Sequence, residues 1–170
     1  TRACFIYAES LLVIDVGTVT KAEWLIDQLR ACFDEFYCTP LNFNNSPADL
    51  LTGIFMGDSP LGFSLGRECR MQDAMDRKST VTWRDFELSD HSIRQHVVEG
   101  MGITHLGVGF DEVMTCVIDQ EAVISKVKFI EGEVVDQWGE DPLAKMDADF
   151  VLLTSVILRL VEDLKKLLGG

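Results

Sequence analysis

The chain has no apolar run approaching the ~20 residues that a membrane-spanning helix requires. It also lacks the basic start, apolar stretch and small-residue cleavage site of a secretory signal peptide. We therefore expect no membrane partner. The first residue is threonine rather than methionine, so we expect the 170 residues to be a piece of a longer protein.

Metal-binding cysteine patterns are absent as well. The five cysteines are scattered, no CxxC pair occurs, and the three histidines do not fall at ligand spacings from them. This pattern predicts reduced cysteines in core positions, no metal site and a cytoplasmic location.

Positive charge is scarce, because 15 Lys and Arg residues stand against 28 Asp and Glu, a net charge of −13. Such a balance argues against a protein that binds nucleic acid over its whole surface, since affinity for phosphates comes from Lys and Arg. The charge is uneven, however. Residues 131–149 carry seven acids against one lysine, and a basic cluster lies earlier in the chain: Arg67, Arg70, Arg77, Lys78, Arg84 and Arg94. Any anion-binding surface is therefore local.

Signatures of catalysis are weak. No D-x-E or E-x-K signature in a convincing strand context joins the acids that a two-metal nuclease would need. The acids that are candidates by position alone are Asp15, Glu68, Asp85, Glu87, Asp147 and Asp149. We expect no catalytic residues, no metal and no cofactor.

The stretch LLVIDVGT, residues 11–18, does resemble the strand and DxGT turn of actin-type and sugar-kinase phosphotransferases. However, Thr20 and Glu23 form a capping box that leads directly into a helix, where a phosphate turn would lead into a second strand. Glu23 would also repel an anion at that helix N-terminus. We therefore interpret Asp15 as an acid at the end of a strand.

Strand and helix signals predict an α+β fold with antiparallel sheets, a hairpin and a three-stranded meander, packed with about four helices. The hairpin covers residues 4–8 and 11–16, an extended segment 38–43, and the meander 103–110, 113–119 and 123–130. Helices are predicted after Thr20, after Ser46, after Ser89, and from about Asp149 to the end. We expect one domain, or two closely packed units of about 1–60 and 61–170.

Two observations favour a nucleic-acid interface. Lys126 and Lys128 are two apart on a strand, so an unbroken strand would place both on one face. Trp83 and Phe86 flank Arg84, and aromatic and basic residues alternate in this way on DNA-binding surfaces.

An ordered series of motifs resembles the bacterial RdgC family of recombination-associated proteins. The series runs through KAEWLIDQLR (21–30), LGFSLGREC (61–69), ELSDHSIRQH (87–96), THLGVGF (104–110), KVKF (126–129), DADF (147–150) and LGG (168–170). The resemblance extends over essentially all 170 residues and corresponds to the C-terminal half of the family's chain.

The resemblance implies a cytoplasmic, nucleoid-associated protein that is not an enzyme. Members form ring-shaped homodimers, bind double-stranded DNA without sequence preference, and restrain strand exchange by RecA. The alternative is a metal-dependent exonuclease, an activity that older descriptions give the family. A third class is a protein-interaction module that docks a partner through the acidic segment 131–149.

In such a protein we expect phosphate contacts from seven residues, Arg84 first: Arg84, Arg77, Lys78, Arg67, Arg70, Lys126 and Lys128. Arg84 agrees with the basic strand expected of the family before Glu87. Asp85, Phe86 and the net charge of −13 depart from it.

Overall fold

A computed structural model describes residues 2–130 and 142–170. The chain divides into two compact units, Thr1–Asn42 and Phe43–Gly170. One antiparallel sheet has two strands and the other has five, and four α-helices accompany them. The predicted α+β class is confirmed.

The first unit is a hairpin followed by a helix. Strands β1 (Arg2–Ile6) and β2 (Leu11–Asp15) pair antiparallel. A 3-10 turn (Tyr7–Glu9) joins them, with Ser10 left-handed at φ 50°. Helix α1 covers Val19–Cys32. No side chain between positions 2 and 42 is buried.

Two predictions for this unit are wrong. The N-cap of α1 is Thr18, whose hydroxyl accepts a hydrogen bond from the Lys21 amide at 3.4 Å, and Thr20 lies inside the helix. Thr18 has an extended backbone, so the helix begins two residues earlier than the Thr20–Glu23 pattern indicated. Residues 38–43 form no strand.

The second unit is built on the five-stranded sheet, with strand order β4-β3-β5-β6-β7 and every neighbouring pair antiparallel. Its strands are β3 (Phe63–Asp73), β4 (Thr80–Arg84), β5 (Met101–Phe110), β6 (Met114–Asp119) and β7 (Ile124–Phe129). The predicted meander is β5, β6 and β7. Strand β3 continues to Asp73, through the polar and basic residues that follow Gly66.

Helices cover one face of this sheet. Helix α2 (Pro47–Met56) packs on β5 and β3, and α3 (His91–Val98) packs on β5. Their buried residues meet inward-facing side chains of the strands: Leu51, Ile54, Phe55, Ile93, Cys69, Met71, Ile103, Leu106, Phe110, Met114 and Ile118. This apolar layer is the core of the unit.

The N-cap of α3 is Asp90, whose carboxylate accepts from the Ser92 amide at 2.8 Å, one residue beyond the predicted Ser89. Leu88 is fully buried beneath this helix start. Gly100, with φ 104°, ends the helix before β5 as predicted.

Helix α4 (Pro142–Leu168) begins earlier than the predicted Asp149, and its C-terminal half packs against α2 through Val156, Leu160 and Leu164. Arg159 pairs with Asp111 in the β5–β6 turn at 2.9 Å. The irregular acidic connection predicted over 131–146 lies, up to residue 141, outside the described residues. Among the helices that are described, none has the length and apolar character needed to cross a membrane.

The buried end of α4 should contribute strongly to stability. Leu160 is fully buried whereas Leu61 is 99% exposed, so both can be changed to alanine as a matched pair. We expect Leu160→Ala to lower the free energy of unfolding by about 2–5 kcal/mol, because it removes buried apolar surface and leaves a cavity. Leu61→Ala should change it by less than about 0.5 kcal/mol. Urea unfolding followed by circular dichroism measures both, and equal effects would contradict the packing of α4.

The cysteines should divide into two classes of reactivity. Burial raises the pKa of the Cys69 and Cys116 thiols to about 12, because the apolar surroundings disfavour the thiolate. Cys32 is exposed, and Cys4 and Cys38 are partly exposed. At pH 8 we expect a thiol reagent to modify these three quickly and to reach Cys69 and Cys116 only in denaturant. Peptide mapping after a short pulse would identify them, and early modification of Cys69 would contradict the fold.

Candidate nucleic-acid interface

The face of the five-stranded sheet opposite the helices carries the charged residues. Because side chains alternate along a strand, burial of Cys69 and Met71 directs Glu68 and Arg70 to this second face. On β4 the residues Thr80, Thr82 and Arg84 are exposed, whereas Val81 and Trp83 are half-buried on the helix side. We call this second surface the open face.

A cleft of about 300 Å³ lies on the open face. Seven side chains line it, from four of the five strands: Glu68, Arg70, Thr80, Thr82, Arg84, His105 and Lys126. The cross-strand register places Arg84 opposite Glu68, and Arg70 opposite both Thr82 and His105. The cleft therefore combines three permanent positive charges with one carboxylate.

A wide bulge shapes the centre of this surface. Between the pairs Leu65–Val108 and Cys69–Leu106, three residues of β3 stand opposite Gly107 alone. A Cβ at Gly66 would lie 2.6 Å from the carbonyl carbon of Gly107, so the two backbones approach too closely for any side chain there. The bulge restores the alternation that keeps Glu68 and Arg70 on the open face.

His105 is held by a short chain of hydrogen bonds. The Thr104 hydroxyl donates to the Arg70 carbonyl at 3.1 Å, and the His105 Nδ1 atom lies 3.1 Å from the same hydroxyl. Because the hydroxyl proton is used on the carbonyl, the hydroxyl oxygen accepts from Nδ1–H. The other ring nitrogen, Nε2, is then the acceptor of the neutral imidazole.

Lys126 reaches the cleft from the far edge of the sheet. It has φ 52° and lies in a bulge of β7, where the register shifts between the pairs Thr115–Lys128 and Val117–Ser125. Its ammonium forms an ion pair and hydrogen bond with the Glu68 carboxylate on β3, across β6 and β5. Three strand spacings on a flat sheet would be roughly 14 Å, and the long side chains of Lys126 and Glu68 meet across this separation.

Three of the seven predicted residues, Arg70, Arg84 and Lys126, therefore line one cleft. Lys128 is exposed and stands opposite Thr115, outside the cleft lining. The bulge interrupts the alternation of side chains along β7, on which we based the prediction that Lys126 and Lys128 share a face. Ser125 and Phe129 are four residues apart on β7 but stand opposite Val117 and Met114, which are three residues apart on β6.

The other three predicted residues lie elsewhere. Arg77 and Lys78 are exposed in the turn between β3 and β4. The Arg67 guanidinium pairs with Asp85 at 2.8 Å, and the hydrogen bond and charge of Asp85 raise the pKa of Arg67. Arg67 therefore already has an anionic partner.

The apolar residues Val81 and Trp83 alternate along β4, but Phe86 falls out of this alternation because the strand has already ended. The strand ends at Arg84, and Asp85 follows in the left-handed region at φ 51°. This turn carries Phe86, which is 50% exposed, away from the strand. Trp83 packs instead against His96 of α3, with ring centroids 5.4 Å apart. Neither aromatic side chain lines the cleft beside Arg84.

The candidate acids do not assemble within the described residues. Within residues 2–130 and 142–170, no group of three or more His, Cys, Asp or Glu side chains is placed to hold a metal ion. Glu87 accepts from the Ser89 hydroxyl at 2.7 Å, which lowers the pKa of Glu87. Asp15 is exposed at the end of β2 opposite Arg2, and Asp147 and Asp149 are exposed on α4.

Sequence reasoning missed three residues of the cleft, Thr80, Thr82 and His105. The alternation in TVTWR was a usable signal for the threonines, because they share the parity of Arg84. No signal in the sequence singles out His105, since its place depends on the pairing of β5 with β3.

Comparison with known proteins identifies the family. The sequence profile of the family described as "Putative exonuclease, RdgC" matches residues 1–170. The recombination-associated protein RdgC of Dechloromonas aromatica is 32% identical over 166 residues, which are 92% of this chain and 54% of that protein. Its namesakes in Tolumonas auensis and Xanthomonas campestris are 29% and 30% identical, with 96% and 92% of this chain and 55% and 54% of theirs covered.

The chain spans about half the length of these curated relatives. Its similarity to them is continuous across both units, and its predicted resemblance is confirmed by the profile match. The chain belongs to the RdgC family.

Proposed function

We propose that this chain supplies a DNA-binding surface and that the open face contacts the phosphate backbone of duplex DNA. The observation that carries the proposal is the convergence of Arg70, Arg84 and Lys126, from three different strands, on one concave cleft. Phosphate contacts from Arg and Lys supply most of the affinity of proteins that bind DNA without sequence preference.

The other groups of the cleft suit the same ligand. The hydroxyls of Thr80 and Thr82 can donate to phosphate oxygens, as can the His105 imidazole when protonated. Beyond the cleft, Lys128 and the turn residues Arg77 and Lys78 would extend the contact to neighbouring phosphates. All these groups recognise the backbone rather than base edges, so we infer binding without sequence preference.

The net charge of −13 is compatible with this role because only one acid, Glu68, lines the cleft. At an ionic strength of 0.15 M charges more than about 8 Å apart are largely screened, so the local charge decides the contact.

The wider role that we infer comes from the family. The relatives are named recombination-associated proteins, and we propose that this protein acts in the nucleoid of the cytoplasm as a ring-shaped homodimer. By occupying DNA it would restrain strand exchange by RecA, without catalysis of its own. The alternative is a metal-dependent exonuclease, since the description of the family names an exonuclease.

The cleft proposal predicts a specific salt dependence. In the full-length protein, Arg84→Gln should weaken binding to all duplex sequences alike and reduce the slope of log K against log salt by about one, because one phosphate contact is lost. Fluorescence anisotropy at several salt concentrations measures this slope. The control Lys166→Gln removes the same charge from exposed α4, where Lys166 pairs with Asp163, and should leave the slope unchanged. Equal slopes for wild type and Arg84→Gln would remove Arg84 from the interface.

The enzyme alternative makes a different prediction. End-labelled linear duplex incubated with the full-length protein and Mg²⁺ or Mn²⁺ should keep its length on a denaturing gel, because a two-metal nuclease needs several converging carboxylates. Shortening that disappears in Asp15→Ala or Asp149→Ala would establish the exonuclease instead. Shortening that survives both changes would also contradict a non-enzymatic role.

A further inference from the structure

One cation of the cleft, Lys126, already has an anionic partner inside the cleft. Lys126 is the only cation of the cleft for which the described residues provide a salt bridge, and its partner Glu68 is the only carboxylate of the lining. We propose that the cleft is a site for one backbone phosphate, which takes the place of the Glu68 carboxylate on Lys126. This inference rests on the proposed DNA-binding function and deepens it.

The Glu68 carboxylate resembles a bound phosphate group both in its position and in its chemistry. It stands opposite Arg84 in the β3–β4 register and two residues before Arg70 on β3, so it lies among the three cations. A carboxylate and a phosphodiester each present two acceptor oxygens and one negative charge. The same ammonium and guanidinium groups bind either of them.

The exchange is feasible because the pair is held weakly. The Lys126 side chain is 52% exposed and that of Glu68 is 26% exposed, and ion pairs in contact with solvent contribute little net free energy. A phosphate arriving at the cleft also meets the hydroxyl donors of Thr80 and Thr82.

Among the residues that the structure describes, no second acid of the open face competes in the same way. Asp119 stands opposite His105 in the β5–β6 register. However, one of its carboxylate oxygens accepts from the Glu121 and Val123 amides at 3.0 and 2.8 Å, which ties Asp119 to the β6–β7 turn. Glu68 is therefore the acid whose removal should free a cation for DNA.

The test compares four variants of the full-length protein on a random-sequence duplex across a series of salt concentrations. Glu68→Gln should bind roughly three- to tenfold tighter at low salt and increase the salt slope by about one, because Lys126 gains a phosphate. The control Glu121→Gln makes the same charge change at an exposed turn residue whose carboxylate contacts Gln120. It should produce only the smaller, general effect of one charge. Lys126→Gln and the double variant complete a mutant cycle.

The cycle separates the possible failures. A gain from Glu68→Gln that vanishes when Lys126 is also changed supports the exchange. A gain no larger than that of Glu121→Gln, or one that persists without Lys126, overturns the exchange but leaves DNA binding by the cleft in place. No salt-dependent binding by the folded wild-type protein would overturn the proposed function itself. Circular dichroism spectra of each variant confirm that the fold is retained.

Discussion

Burial of one face of the five-stranded sheet under α2 and α3 decides which face carries the charged residues of β3 and β4. Cys69, Met71 and Leu106 are buried in the core. Because side chains alternate between the two faces along a strand, Arg70, Thr82 and Arg84 lie on the opposite face. The hydrophobic effect thus positions the cations without any contact among them. The interface that we propose is a consequence of the packing on its reverse side.

The elements that could be predicted are those whose signals are local. Helix α2 is bounded by Pro47 and by Gly57 with positive φ, and α3 ends before Gly100, also with positive φ, and begins one residue from the predicted Ser89. The meander is short-range and alternating. The class of fold, the hairpin and most of the helices follow from such patterns alone.

What could not be predicted depends on pairing between distant strands. The second half of β3 is polar and basic and carries no strand signal of its own, although β4 and β5 pair with it on both sides. The bulge at Lys126 alters side-chain parity along β7, and neither it nor the bulge at Gly66 has a sequence pattern of its own. For this reason Arg70, Arg84 and Lys126 could be predicted as basic candidates, but not their convergence or the place of His105.

Gly107 has a consequence for how genetic variation in this family should be interpreted. A Cβ at this position would lie 3.1 Å from the Glu68 amide nitrogen and 3.4 Å from its Cβ. Any side chain there would therefore displace Glu68 without touching a ligand. Loss of activity on mutation of Gly107 would report the geometry of the bulge rather than recognition, so the position can be intolerant of change while carrying no binding group.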